Sequence, residues 1–163
     1  MLLALIRHGT AEDAGPRTGY HDEPRRLTDL GITHMREAAR GIARIGIHPD
    51  AIISSPLVRC AQTAEIVGAA FGTGVRLHDV MRPGARTAAL LEVLADYPDA
   101  GCIVVCGHQP DLSLITADLS GGSLVEFRRG TLCVINLERL RPNGGILVGL
   151  YPPKALRRLG ASA

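Results

Sequence analysis

The chain has 163 residues, 46% of them hydrophobic, a formal net charge of +2, and aromatic residues at only 3% with no Trp. That length suits one domain with a full core and leaves too little for two. A charge this small, with arginines spread along the chain, argues against polyanion binding, and so few rings exclude a base-stacking platform for nucleic acid.

In chain order, Leu2 to Ile6 reads as a buried strand, followed by a polar stretch from Thr10 to Arg26 whose Gly15-Pro16, Gly19 and Pro24 are loop signals. Thr28 is placed to cap a helix running to about Ile45, with Met35, Ala38, Ala39, Ile42 and Ile45 at helical spacing and Gly46 ending it. Ala51 to Ile53 is a second strand, and Ser54-Ser55-Pro56 predicts a helix with a Ser cap, Pro at its first position and an apolar face of Ala61, Ala64, Val67 and Ala70. Val75 to Val80 predicts a strand, Pro83-Gly84 a turn, and Thr87 to Tyr97 a helix burying Leu90, Leu91 and Leu94.

Cys102 to Cys106 is the clearest central strand; it meets Gly107-His108-Gln109-Pro110, where a helix carrying Leu112, Ile115 and Leu119 begins at the proline. After Gly121-Gly122, the segments Leu124 to Phe127, Thr131 to Leu137 and Ile146 to Tyr151, separated by Arg129-Gly130 and Asn143-Gly144, read as antiparallel strands. The expected fold class is α/β: a three-layer α/β/α sandwich with a mostly parallel central sheet and C-terminal antiparallel strands. A single domain is expected over residues 1–155, with residues 156–163 as a flexible tail.

Cys60, Cys102, Cys106 and Cys133 show neither a C-x-x-C pair nor the Cys/His spacing of a zinc site, so free buried thiols are expected and no metal or cofactor is assigned. Cys102 and Cys106 would lie about 13 Å apart on one strand face, too far to bridge. The apolar start MLLALI lacks a basic leader and stops at Arg7, and no run reaches membrane-spanning length. A cytoplasmic protein without membrane contact is the expectation.

Three strand-to-helix junctions carry residues able to handle phosphate: Arg7 and His8 after the first strand, Arg59 after the second, His108 after the Cys102 to Cys106 strand. Neighbours on a strand face opposite ways, so a turn at Gly9 is expected to bring Arg7 and His8 to one pocket. Ligand sites in open α/β sheets form beyond the carboxyl ends of the strands, so these four residues are expected to converge. Arg59, in an opening helical turn, is suited to grip two phosphate oxygens.

Leu5-Ile6-Arg7-His8-Gly9-Thr10 resembles the signature of the histidine phosphatase superfamily, the phosphoglycerate mutase-like enzymes. Arg26-Leu27-Thr28-Asp29-Leu30-Gly31, the segment from Ser54 through Arg59 to Thr63, and Gly107-His108-Gln109-Pro110 are similar to its further motifs, in order, over most of the chain. The short length most resembles the SixA-type phosphohistidine phosphatases. That resemblance implies the phosphoglycerate mutase-like fold and a two-step phosphoryl transfer in which His8 attacks phosphorus and is later freed by water, with Arg7, Arg59 and His108 stabilising the phosphoryl oxygens and no metal required. The arginines are expected to keep His8 neutral.

Members acting on phosphate esters use a carboxylic acid for the leaving group; the nearest counterpart is Asp79, whose local pattern departs from the mutase-like form and reads first as a surface turn, with Glu12 and Asp13 as further candidates. The weak match at Asp79 favours a phosphohistidine substrate, whose leaving imidazole is far less basic than an alkoxide. Thr10, Arg17, His21, Arg25 and Arg26 are candidates for a pocket rim that touches a protein substrate. The implied partner is a phosphorylated signalling or phosphotransfer protein; a small phosphoester, or a phosphate-binding module without turnover, are the alternatives.

Overall fold

A computed structural model describes residues 1–122 and 124–161. The strands are β1 (Leu2–Arg7), β2 (Ala51–Ser54), β3 (Val75–Leu77), β4 (Cys102–Gly107), β5 (Leu132–Leu137) and β6 (Gly145–Tyr151). The helices are α1 (Asp29–Arg44), α2 (Val58–Phe71), α3 (Thr87–Leu94), α4 (Asp111–Ser120) and α5 (Pro153–Ala161). The strands form one sheet in the order β3-β2-β4-β1-β5-β6. Neighbours from β3 to β1 pair in parallel, whereas β5 runs antiparallel to β1 and β6 to β5. Apolar residues on alternate sides of β1 and β4 fill two cores. Ala4, Ile6 and Val104 meet Met35 and Ile42 of α1, Val67 of α2 and Leu156 of α5. Leu3, Leu5 and Val105 meet Leu90 and Leu94 of α3 and Leu112 and Ile115 of α4. This is the expected α/β/α sandwich with a mostly parallel sheet.

Because β1, β2 and β4 run parallel, their carboxyl ends share one sheet edge: Arg7 stands beside Gly107, and Ser54 beside Cys106. Thr28 caps α1 by accepting a bond from the Gly31 amide at 3.0 Å, which is the cap its sequence position predicts.

Five local expectations are corrected. Helix α2 begins at Val58, after an N-cap at Leu57 without a side-chain cap bond; the Ser55 hydroxyl accepts from the Leu57 amide at 3.3 Å ahead of the helix and bonds His108 at 2.9 Å. Ala70 is exposed, and Thr63 and Gly68 take its place on the buried face. Leu124 to Phe127 is not a strand: β5 already occupies the edge of β1, and the carbonyls of Val125 and Phe127 accept from the Ser113 hydroxyl and from Arg7. The run from Val75 shortens to three residues and continues as a 3-10 turn at Asp79–Met81, while α3 closes at Leu94 with turn bonds reaching Tyr97.

Residues 156–161, expected as part of a flexible tail, belong to helix α5. It lies directly on α1, since an added Cβ at Gly41 would strike the Leu156 carbonyl and one at Gly160 the Glu37 carbonyl. Arg40 Nε donates to the Gly160 carbonyl at 3.0 Å and Arg44 Nη1 to that of Leu159 at 2.7 Å, closing the last turn of α5 from outside. Ser162 and Ala163, the rest of the expected tail, lie outside the described residues.

Candidate active site

His8 is the first residue beyond β1 and is buried, at 6% exposure. Its Nδ1 lies 2.8 Å from the carbonyl oxygen of Gly9. A carbonyl only accepts, so Nδ1 carries the proton and Nε2 presents a lone pair. The Gly9 amide donates to Thr63 Oγ1 at 3.1 Å, and that hydroxyl donates to the Arg59 carbonyl at 2.7 Å, tying the His8 turn to α2. Gly9 is not among the residues with positive φ. Space requires it instead, because a Cβ there would collide with Met35.

Arg59, the second residue of α2, is 4% exposed and spends its three nitrogens on the site. Nε donates to His8 Nε2 at 3.2 Å, Nη1 to the Asp22 carbonyl at 3.0 Å, and Nη2 to Asp22 Oδ2 at 2.8 Å. Nη2 also lies 3.4 Å from His108 Nδ1. His108, just past β4, bonds Ser55 Oγ through Nε2 at 2.9 Å, and its ring centroid is 5.5 Å from that of His8. Arg7 donates from Nη1 to the Phe127 carbonyl at 2.7 Å, leaving its buried Nε without a partner.

Arg7, His8, Arg59 and His108 line one cavity of about 290 Å³. Asp22, Arg25, Gln109 and Arg129 complete its polar wall. Burial is the main cause that lowers the His8 pKa to about 3; the Gly9 bond, next in size, favours protonation, and the charges of Arg59, His108 and Arg7 reinforce the lowering. Burial alone would raise the Asp22 pKa, yet bonds from Arg25 and Arg59 hold it below the usual carboxylate value. The site therefore holds a neutral, oriented imidazole facing a cavity with four guanidinium groups and one ionised carboxylate. Such a cavity can take a tetrahedral oxyanion against His8 Nε2.

Thus the four principal candidates meet in one cavity, and Arg25 joins them. Asp79 does not: its carboxylate is exposed and bonded to Arg82 Nε at 2.8 Å, and Arg82 also pairs with Glu23. Glu12, Asp13 and Arg17 line a separate depression, with Arg17 Nη1 3.7 Å from Glu12, and His21 and Arg26 are exposed outside the site cavity. Thr10 faces a neighbouring cleft and accepts on its carbonyl from the Thr28 amide. Asp22, Ser55 and Arg129 are functional candidates that sequence reasoning missed. Ser55 had a signal, since it immediately follows the second strand on the edge that carries His8 and His108; Asp22 and Arg129 lie in segments whose path no periodicity reveals. All four cysteines are free and buried. Cys60 Sγ lies 3.6 Å from His108 Nε2.

Residues 3–83 match the model of the histidine phosphatase superfamily, branch 1. An uncharacterised protein of Picosynechococcus sp. strain PCC 7002 is 38% identical over 116 residues, which is 69% of this chain and 68% of that protein. The structure of the protein histidine phosphatase SixA complexed with tungstate aligns with a TM-score of 0.83 at 20% identity, over 96% of this chain and 99% of that one. A SixA-designated protein of Agrobacterium tumefaciens aligns at 0.79 with 26% identity, over 93% and 97%. By sequence match, sheet topology and the gathering of its motifs at one edge, the chain belongs to the histidine phosphatase superfamily.

Proposed function

We propose that the protein is a phosphatase that uses His8 as its nucleophile, and that its substrate is phosphohistidine on a phosphorylated signalling or phosphotransfer protein. The observation that carries the chemistry is the bond from His8 Nδ1 to the Gly9 carbonyl, which leaves Nε2 unprotonated at the cavity wall. In the first step the Nε2 lone pair forms a bond to phosphorus as the substrate's own nitrogen–phosphorus bond breaks. In the second, water forms a bond to phosphorus, Nε2 departs, and inorganic phosphate is released. Arg7, Arg59 and His108 hold the phosphoryl oxygens through both steps. With this much guanidinium charge in place, we read the reaction as metal-independent.

The choice of phosphohistidine rests on the leaving group. Among the described residues the cavity has one carboxyl group, Asp22, and two arginines keep it ionised. An ionised carboxylate cannot protonate a departing alkoxide, whereas a leaving imidazole needs far less help. The likeness to SixA structures points the same way. The test is phosphate release from a phosphohistidine-bearing phosphotransfer domain without added metal, comparing wild type with His8→Ala. Release that falls about a thousandfold or more in the variant is expected. Absence of release, with turnover of a small ester, moves the substrate to small phosphomonoesters.

A further inference from the structure

A second cavity, of about 190 Å³, opens between α1 and the first turns of α5. Its walls carry Arg129, Lys154 and Arg157, with His34 beside them, and no acidic residue lines it among the described residues. No carboxylate in the described residues pairs with Arg129, Lys154 or Arg157. Like charges gathered around one cleft without a counter-charge form an attractive field for an anion. The Nε of Arg157 is moreover buried with no partner, and such orphaned donors are uncommon enough in native proteins to require a cause.

The other orphaned side-chain nitrogen among the described residues is Arg7 Nε, in the phosphate cavity. Each of the two cavities is thus lined by one arginine whose Nε is buried without a partner. They adjoin: Arg129 lines both, and Gly9 and Thr10, the residues after His8, form part of the second. The second cleft is also partly apolar, with Met35, Ala38 and Pro153 in its walls. An aliphatic stem ending in a carboxylate matches that mixture of apolar wall and cationic rim.

Resting on the phosphohistidine reading above, we infer that this cleft is a docking subsite for an acidic side chain of the protein substrate, an Asp or Glu flanking the phosphorylated histidine. The carboxylate is held by Lys154, Arg157 and Arg129 while the phosphoryl group enters the cavity of His8. Docking of this kind lowers KM for the phosphoprotein and leaves the chemical step alone.

The test is steady-state kinetics of wild type and the Lys154→Gln/Arg157→Gln double variant on two substrates, a phosphohistidine-bearing phosphotransfer domain and p-nitrophenyl phosphate. Expected is a rise in KM for the phosphoprotein of about fivefold or more, a weaker dependence of that KM on salt, and unchanged kcat. KM for the small ester should stay within about twofold, since it lacks the second anion. Because Arg157 is half-buried in α5, the exposed Lys154→Glu is run alongside; it should raise the phosphoprotein KM with an unaltered melting temperature. An unchanged phosphoprotein KM, or equal shifts for both substrates, overturns the inference. If the wild type cleaves the ester and leaves the phosphoprotein untouched, the phosphohistidine reading has failed and the subsite falls with it, a result distinct from turnover that ignores the substitutions.

Discussion

Asp22 holds Arg59 by two bonds, at 2.8 Å through Oδ2 and at 3.0 Å through its carbonyl. Its carboxylate therefore sits on the guanidinium that is proposed to receive the phosphoryl oxygens, as an internal anion that a substrate must displace. Replacing it with the neutral amide in Asp22→Asn keeps a bonding partner for Arg59 and removes the competing charge. Inorganic phosphate should then bind more tightly, by about threefold to tenfold, in a titration at neutral pH.

Arg59→Lys keeps the charge and loses the fork. One ammonium cannot contact His8 Nε2, Asp22 and the neighbourhood of His108 together, as the three nitrogens of Arg59 do. A fall in kcat/KM of roughly a hundredfold, with little change in melting temperature, is the expected outcome.

The buried His8 couples acid stability to the site. Its pKa is about 3 in the folded protein, against an ordinary value of 6.5. Between those two values the unfolded chain binds a proton that the native state excludes, so stability falls as pH drops from about 6.5 towards 3 and this contribution is constant above 6.5. Denaturant titrations at several pH values should show His8→Gln losing less stability than wild type over that window, by an amount on the order of a few kcal/mol at its acid end. At pH 5 to 8 this imidazole stays neutral, so His8, as the proposed nucleophile, contributes no acid limb to kcat there.

Asp79→Asn should leave kcat on phosphohistidine protein and on a small ester within about twofold of wild type, because its carboxylate faces Arg82 outside the cavity. A drop of a hundredfold on the ester alone would instead mark it as the proton donor to the leaving group.

Gly160→Ala places a methyl group against the Glu37 carbonyl where α5 lies on α1. Relief requires separating two packed backbones, and a loss of about 1–3 kcal/mol in unfolding free energy is expected by denaturant titration.

Much of this arrangement was legible beforehand because it depends on patterns that sequence carries directly. Apolar runs ending at Arg7, near Ser55 and at Gly107 placed three junctions on one edge of a parallel sheet, and that alone brought His8, Arg59 and His108 together. What stayed hidden depends on contacts without a period. Asp22 reaches Arg59 through the path of an irregular loop. Ser55 reads as a helix cap, and its further bond to His108 at 2.9 Å has no counterpart in the sequence pattern. Helix α5 reads as a frayed tail because its residues are small and basic, although Gly160 and Gly41 are what let it lie against α1. Leu124 to Phe127 had the composition of a strand and no free edge to join.

The position of β1 in the sheet also has a consequence for synthesis of the chain. Its two neighbours are β4, from Cys102, and β5, from Leu132. While the first hundred residues emerge from a ribosome, β2 and β3 can pair, but β1 has no strand to join. The proposed nucleophile borne at its end waits for a partner made late, so this edge of the sheet forms only after most of the polypeptide has been translated, and fragments ending before β4 should carry the motifs around His8 and Arg59 without a formed site.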